Sequence, residues 1–149
     1  MDLGEVRARL VPFCRSKYGD DTVTVDEVTV MPGHAGFAYG FASTHRGTTD
    51  HWFLRLPPPN VRWEGTADML RQVTALHAVD GSDVPHCRVQ WYGGPDDVEW
   101  FGCPYFVVEQ LQGGDVLIGG HRSTWVLDLP PEQRRTMGHD AMYERNLRI

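Results

Sequence analysis

Between Val28 and Asn60 the chain reads VTVMPGHAGFAYGFAST, a short polar gap, then HWFLRLPPPN. Apolar residues recur at every second position in this stretch: Val28 and Val30, then Phe37, Tyr39 and Phe41. A period of two predicts half-buried strands. Pro32-Gly33 closes the first strand, and Pro57-Pro58-Pro59 stops a third that runs from His51 to Leu56. Connections this short leave no room for a crossover, so the three strands are expected to form an antiparallel meander. Upstream, Val23 and Val25 alternate with Thr22 and Thr24. The phase slips at Asp26-Glu27, which predicts a bulge or a strand bent into two parts.

The flanks add helices and two more strands. Leu3, Val6, Leu10, Phe13 and Cys14 recur at helical spacing, so residues 1–18 are expected to be helical and to end at Gly19. Pro12 should kink that helix or start a second one. Thr66 is a suitable N-cap for a helix over Ala67–Val79, with Met69, Leu70, Val73 and Leu76 as its apolar stripe. Arg88–Tyr92 reads as a short strand. Tyr105–Glu109 (YFVVE) reads as a central strand buried on both faces. Pro130-Pro131 opens a last helix, with Met137, Ala141 and Met142 on its apolar side. The whole is one α+β domain over residues 1–149: a five-stranded antiparallel sheet with one packed helix, plus N-terminal and C-terminal helices.

Charge and cysteine usage narrow the function classes. The formal net charge is −6, which argues against nucleic acid as a partner. Lys17 is the sole lysine and the other thirteen cationic side chains are arginine, so any local basic site must be built from guanidinium groups, which suit bidentate phosphate contacts. Cys14, Cys87 and Cys103 form neither a CxxC pair nor an even set, and are expected to be reduced thiols. No apolar run reaches the roughly 18 to 20 residues that a bilayer requires, and the N-terminus MDLGEVRARL has no apolar core of a secretory signal. Cytoplasm, with no membrane partner, is the expectation.

The chemistry-bearing residues sit in the strand-rich segment. Gly33, Gly36 and Gly40 allow backbone N–H groups to approach an anion closely. Arg55, set between Leu54 and Leu56, places one cation on the next strand, positioned to point back at such a site. Gly138-His139-Asp140, followed by Asn146, falls within an expected helix and is given no role. No catalytic residue and no metal ligand is assigned.

These pieces, taken in order, resemble the N-terminal lobe of the aminoglycoside phosphotransferase-like kinases. The resemblance rests on MPGHAGFAYGF at the glycine-loop position, WFLRLPPPN at the third strand, LRQVTALHAV in the helix that follows, and VPHCRVQWYGGPDDVEWFGCPYFVVEQLQG leading to the hinge. It covers roughly residues 3–130. It implies a protein-kinase-like fold and binding of ATP or GTP with Mg²⁺. Gly33, His34, Ala35, Gly36 and Phe37 would then lie along the phosphates, with Arg55 on the α/β-phosphates. Gln72 would stand at the helix position that supports this cation, and Glu109, Gln110 and Leu111 would form the hinge against the base. Two departures are expected to weaken the site. The cation is arginine rather than lysine, and Gln72 replaces the carboxylate of the usual ion pair, leaving Glu64 or Asp68 as substitutes. The resemblance also implies a C-terminal catalytic lobe that this sequence does not contain. The expectation is therefore the nucleotide-binding lobe of an enzyme that moves a γ-phosphoryl group to a small-molecule hydroxyl. On its own it would be inactive, and it would be prone to self-association through the surface that the missing lobe would cover. The alternative is a non-catalytic interaction or dimerisation module on the same scaffold.

Overall fold

The computed structural model describes residues 1–31, 37–84 and 86–110, all within the compact unit Met1–Gln112. The expected glycine turn, Leu111 and the expected C-terminal helix lie outside the described residues.

Helix α1 spans Leu3–Tyr18. It starts at a reciprocal capping box: Glu5 N–H donates to Asp2 Oδ1 and Asp2 N–H donates to Glu5 Oε2, both at 2.9 Å. Two of the donors that a helix start leaves without partners are thereby satisfied. Gly19 ends the helix in the left-handed region, with φ of 63°, a conformation that costs glycine nothing. Pro12 neither kinks nor divides it; α1 is one helix with Pro12 inside. Pro12 faces solvent while Leu10, Phe13 and Cys14 are buried. Water can replace the hydrogen bond that the ring removes, and the buried stripe holds the turns on either side.

Strand β1, Thr24–Val30, pairs antiparallel with β2, Phe37–His45. The register shifts between Asp26 and Thr29, and Glu27 takes a φ of 54°. This is the bulge that the phase slip at Asp26-Glu27 predicts. Strand β3, Thr48–Leu56, follows β2 through a two-residue turn, Arg46-Gly47, both residues having positive φ. That turn type matches the twist of a hairpin and pins His45 opposite Thr48. The two strands are therefore longer than the alternation alone predicts.

A single 3-10 turn, Gly65–Ala67, leads into helix α2, Met69–His77. The N-cap is Asp68, whose Oδ1 accepts from Arg71 N–H at 3.0 Å, and not Thr66. The helix also stops two residues short of the expected Val79. Strands β4, Val89–Gly93, and β5, Tyr105–Glu109, complete the described sheet, in the order β1-β2-β3-β5-β4 with every pairing antiparallel. YFVVE is thus a central strand, as its unbroken apolar run predicts.

Alternating side chains give the sheet two different faces. One face carries Tyr39, Phe41, Trp52, Leu54, Leu56, Tyr105 and Val107, packed against the Val6–Leu10–Phe13–Cys14 stripe of α1. Phe13 is the hub, with ring centroids 5.2 to 5.7 Å from Phe101, Tyr105, Trp100 and Trp91. The buried hydroxyl of Ser43 accepts from Trp52 Nε1 at 2.8 Å and lies 3.1 Å from the Tyr18 hydroxyl, so this polar group is not left unsatisfied. The other face carries Phe106 and Val108, covered by Met69 and Val73 of α2, with Phe53 and Leu76 beside them.

Candidate functional site

Arg55 lies directly opposite Ala38 on β2 and Phe106 on β5. Phe106 belongs to the cluster under α2, so the guanidinium rises from the α2 face of the sheet. Leu54 and Leu56, its neighbours in sequence, anchor the same strand in the core of the opposite face. That division is why an arginine can stand in an otherwise apolar strand. Burial pulls the Arg55 pKa below its ordinary value, as desolvation does to any cation. Even so, a guanidinium remains charged at any pH of interest.

The rest of this face is built from small residues. Ala38, Gly40 and Ala42 alternate along β2 on the side that Arg55 shares. At Gly40 a larger residue would require its neighbours to shift. A Cβ there would lie 3.0 Å from Met31 Sδ, 3.2 Å from Thr29 Oγ1 and 3.4 Å from Gln110 Nε2. The side chains of Met31, Thr29 and Gln110 therefore close over bare backbone at this point. His51, opposite Ala42, continues the row, with Nδ1 3.8 Å from Glu27 Oε2 at the bulge.

Gln72 sits on α2, the helix over this face, with Nε2 donating to Asp68 O at 3.5 Å. Asp68, one of the two acids expected to substitute for the missing carboxylate, uses an oxygen to cap its own helix. Glu64 stands at the start of the 3-10 turn, exposed to solvent.

The expected hinge residues separate. Glu109 is opposite Trp52, which places its side chain on the α1 face, away from Arg55. Gln110 turns its side chain toward Gly40 on the Arg55 face, but its backbone N–H donates to His51 O at 2.9 Å. That donor is already engaged in the sheet. Phe37 is opposite Leu56 and so also faces the α1 side, where it is 40% exposed. Arg55 and Gln110 thus lie on the same face of the sheet, Arg55 beside Phe106 and Gln110 beside Gly40, while the side chains of Phe37 and Glu109 turn to the other face. Gly33, His34, Ala35, Gly36 and Leu111 lie outside the described residues. Thr29, Met31 and Ala38 are contributors that periodicity does not single out; knowing the strand register would have identified them.

Chemically, the described residues of this face offer the Arg55 guanidinium, the Gln110 amide with Gln72 on the helix, and a floor of small side chains. Among the described residues no group of three or more His, Cys, Asp or Glu could hold a metal ion. None of the three thiols is activated: burial raises the Cys14 pKa to about 12 and raises those of Cys87 and Cys103 as well, which leaves them ordinary, slowly reacting thiols. Among the described residues no helix is long and apolar enough to cross a membrane.

No protein-family model matches the chain, and no curated protein matches it.

Proposed function

We propose that this chain is the nucleotide-binding lobe of a kinase-like phosphotransferase, with Arg55 as its phosphate-facing cation. The parent reaction is transfer of the γ-phosphoryl group of ATP or GTP to a small-molecule hydroxyl, for which this lobe would hold the nucleotide. One observation carries the reading: Arg55 and α2 share a face of a five-stranded antiparallel sheet, with the helix inserted in sequence between β3 and β4. A cation on the third strand beneath the following helix is the arrangement by which kinase lobes hold the α- and β-phosphates. Ala38, directly opposite Arg55 on β2, keeps the floor beside the guanidinium low enough for a flat base. Mg²⁺ would accompany the nucleotide phosphates.

Titration of the protein with Mg·ATP, Mg·GTP and adenosine tests this reading. Either triphosphate is expected to bind more tightly than the nucleoside, because the fixed cation acts on phosphate. Equal affinity for ATP and adenosine would defeat it.

A second reading, a non-catalytic interaction module on the same scaffold, is favoured by Gln110, whose backbone N–H is occupied by His51 and so not offered to a base. It predicts no nucleotide binding at all, and the same titration separates the two.

A further inference from the structure

The α1 face of the sheet holds a cavity that the nucleotide reading does not use. It has a volume of about 310 Å³ and lies beyond the end of β3, walled by Pro57-Pro58-Pro59 on one side and by the rings of Phe37, Tyr39, Trp63 and Phe101. Leu56, which also lines it, points away from the face that carries its neighbour Arg55. This cavity is therefore a separate site, on the other side of the sheet.

Three large apolar side chains around it stay in contact with water: Phe37 at 40%, Val61 at 43% and Trp63 at 38% exposure. Exposed apolar residues scattered singly need no explanation, whereas three around one cavity do. The lining contains no charged side chain. Met1 also lines the cavity, but its α-ammonium lies 4.0 Å from Glu5 Oε2 and is already paired. An ion placed there would therefore lose its hydration without an unpaired counter-charge to replace it, and charged ligands are disfavoured. The volume sits at the lower edge of the roughly 300 to 1,000 Å³ typical of ligand pockets. It suits one or two fused rings and is too small for a nucleotide. Flat walls of proline and aromatic rings match a planar partner through offset or edge-on ring contacts. Of the polar side chains at the cavity, the Tyr39 hydroxyl already donates to Met1 O at 3.3 Å and the Cys103 thiol to Phe101 O at 3.7 Å. That leaves, beside the Trp63 indole N–H, Asn60, on a loop with a φ of 61° at that residue. Its amide can both donate and accept one hydrogen bond.

From this geometry we infer that the cavity is a binding site for a neutral, planar aromatic molecule of one or two rings bearing one hydroxyl or N–H group. The ligand would lie between the triple proline and Trp63, with its polar group at Asn60.

The probe is 2-naphthol, added to the full chain, with 2-naphthoate as its charged counterpart. Cys103 lines the cavity, whereas Cys87 packs under α2 on the opposite face, so the two thiols report separately. Bound 2-naphthol is expected to slow alkylation of Cys103 by iodoacetamide, resolved by peptide mass spectrometry, and to leave Cys87 unchanged. The same titration should saturate in Trp fluorescence, at least about tenfold tighter than for 2-naphthoate, and weaken at least about tenfold in Trp63→Ala or Val61→Asp. Both substitutions fall at exposed positions, so folding is expected to survive, which circular dichroism checks. The inference is overturned if binding fails to saturate, if Cys87 is protected as much as Cys103, or if folded variants bind like the wild type. Tighter binding of N-acetyl-tryptophan amide than of 2-naphthol would also overturn it, since the cavity would then take a peptide-borne ring.

Discussion

Replacing Phe13 by alanine should detach α1 from the sheet more effectively than any other single truncation in that helix. The ring is fully buried and contacts four others, from Trp91 and Tyr105 on two strands and from Trp100 and Phe101 on the segment between them. Phe→Ala in a packed core costs about 3–5 kcal/mol. The upper half of that range is expected here, because each edge-on ring pair adds about 0.5–1.5 kcal/mol beyond the buried area. A domain of this size has about 5–15 kcal/mol in total, so the variant loses about a quarter or more of its stability. With a urea m-value of about 2 kcal/mol/M, a loss of about 4 kcal/mol moves the unfolding midpoint down by about 2 M. Leu3→Ala on the same helix, at a residue 41% exposed, is the control and should shift the midpoint only slightly. Equal shifts for the two variants would refute the claim that α1 is held through the Phe13 ring cluster.

Gly93→Ala should destabilise by about 1–3 kcal/mol in the same urea assay, since a Cβ there would meet the buried Tyr105 ring and lie 2.9 Å from Asp97 Cβ. Asp68→Ala should cost about 1 kcal/mol through loss of the α2 cap, and a neutral result would remove Asp68 from that role. The loop after α2 should report pH. His86 Nε2 lies 2.8 Å from Asp80 Oδ1 and His86 Nδ1 lies 2.9 Å from Val84 O, which raises the His86 pKa above 6.5 and lowers that of Asp80 below 3.8. The raised histidine contributes stability that is complete below its unfolded pKa and is lost as pH rises through the folded one. The lowered aspartate contributes above its unfolded pKa and is lost as pH falls through the folded one. His86→Gln should therefore lower Tm near about pH 5 and have little effect near about pH 9; the same loss at both would contradict the pairing.

Local chemistry made much of the fold legible. The Val23–Val30 phase slip marks the bulge at Glu27, the unbroken run YFVVE marks the central strand, and Gly19 marks a left-handed helix end. What was misread turned on competition between near-equivalent residues or on solvent exposure. Thr66 and Asp68 are both good caps two residues apart, and the intervening 3-10 turn hands the role to Asp68. Pro12 breaks a buried helix but not one whose proline faces water. The candidate site could be listed by residue type but not by the face each side chain takes. Whether Phe37 and Arg55 share a face depends on pairing register. The Arg46-Gly47 turn sets that register, placing Phe37 opposite Leu56 rather than opposite Arg55. Glu109 and Gln110 separate for the same reason, since consecutive strand residues point to opposite faces.

The central claim, that Arg55 faces nucleotide phosphate, is tested most directly by titrating Mg·ATP and adenosine into the wild type, Arg55→Ala and Arg55→Lys, with circular dichroism confirming that each is folded. A wild-type Kd for Mg·ATP of order 0.1–1 mM, roughly 4–5.5 kcal/mol, is expected. A hydrogen bond to a charged group is worth about 1.5–3 kcal/mol, so Arg55→Ala should weaken Mg·ATP binding by about tenfold or more, with Arg55→Lys in between and adenosine unchanged. Folded wild type and Arg55→Ala proteins that bind Mg·ATP equally, or not at all, would contradict the account.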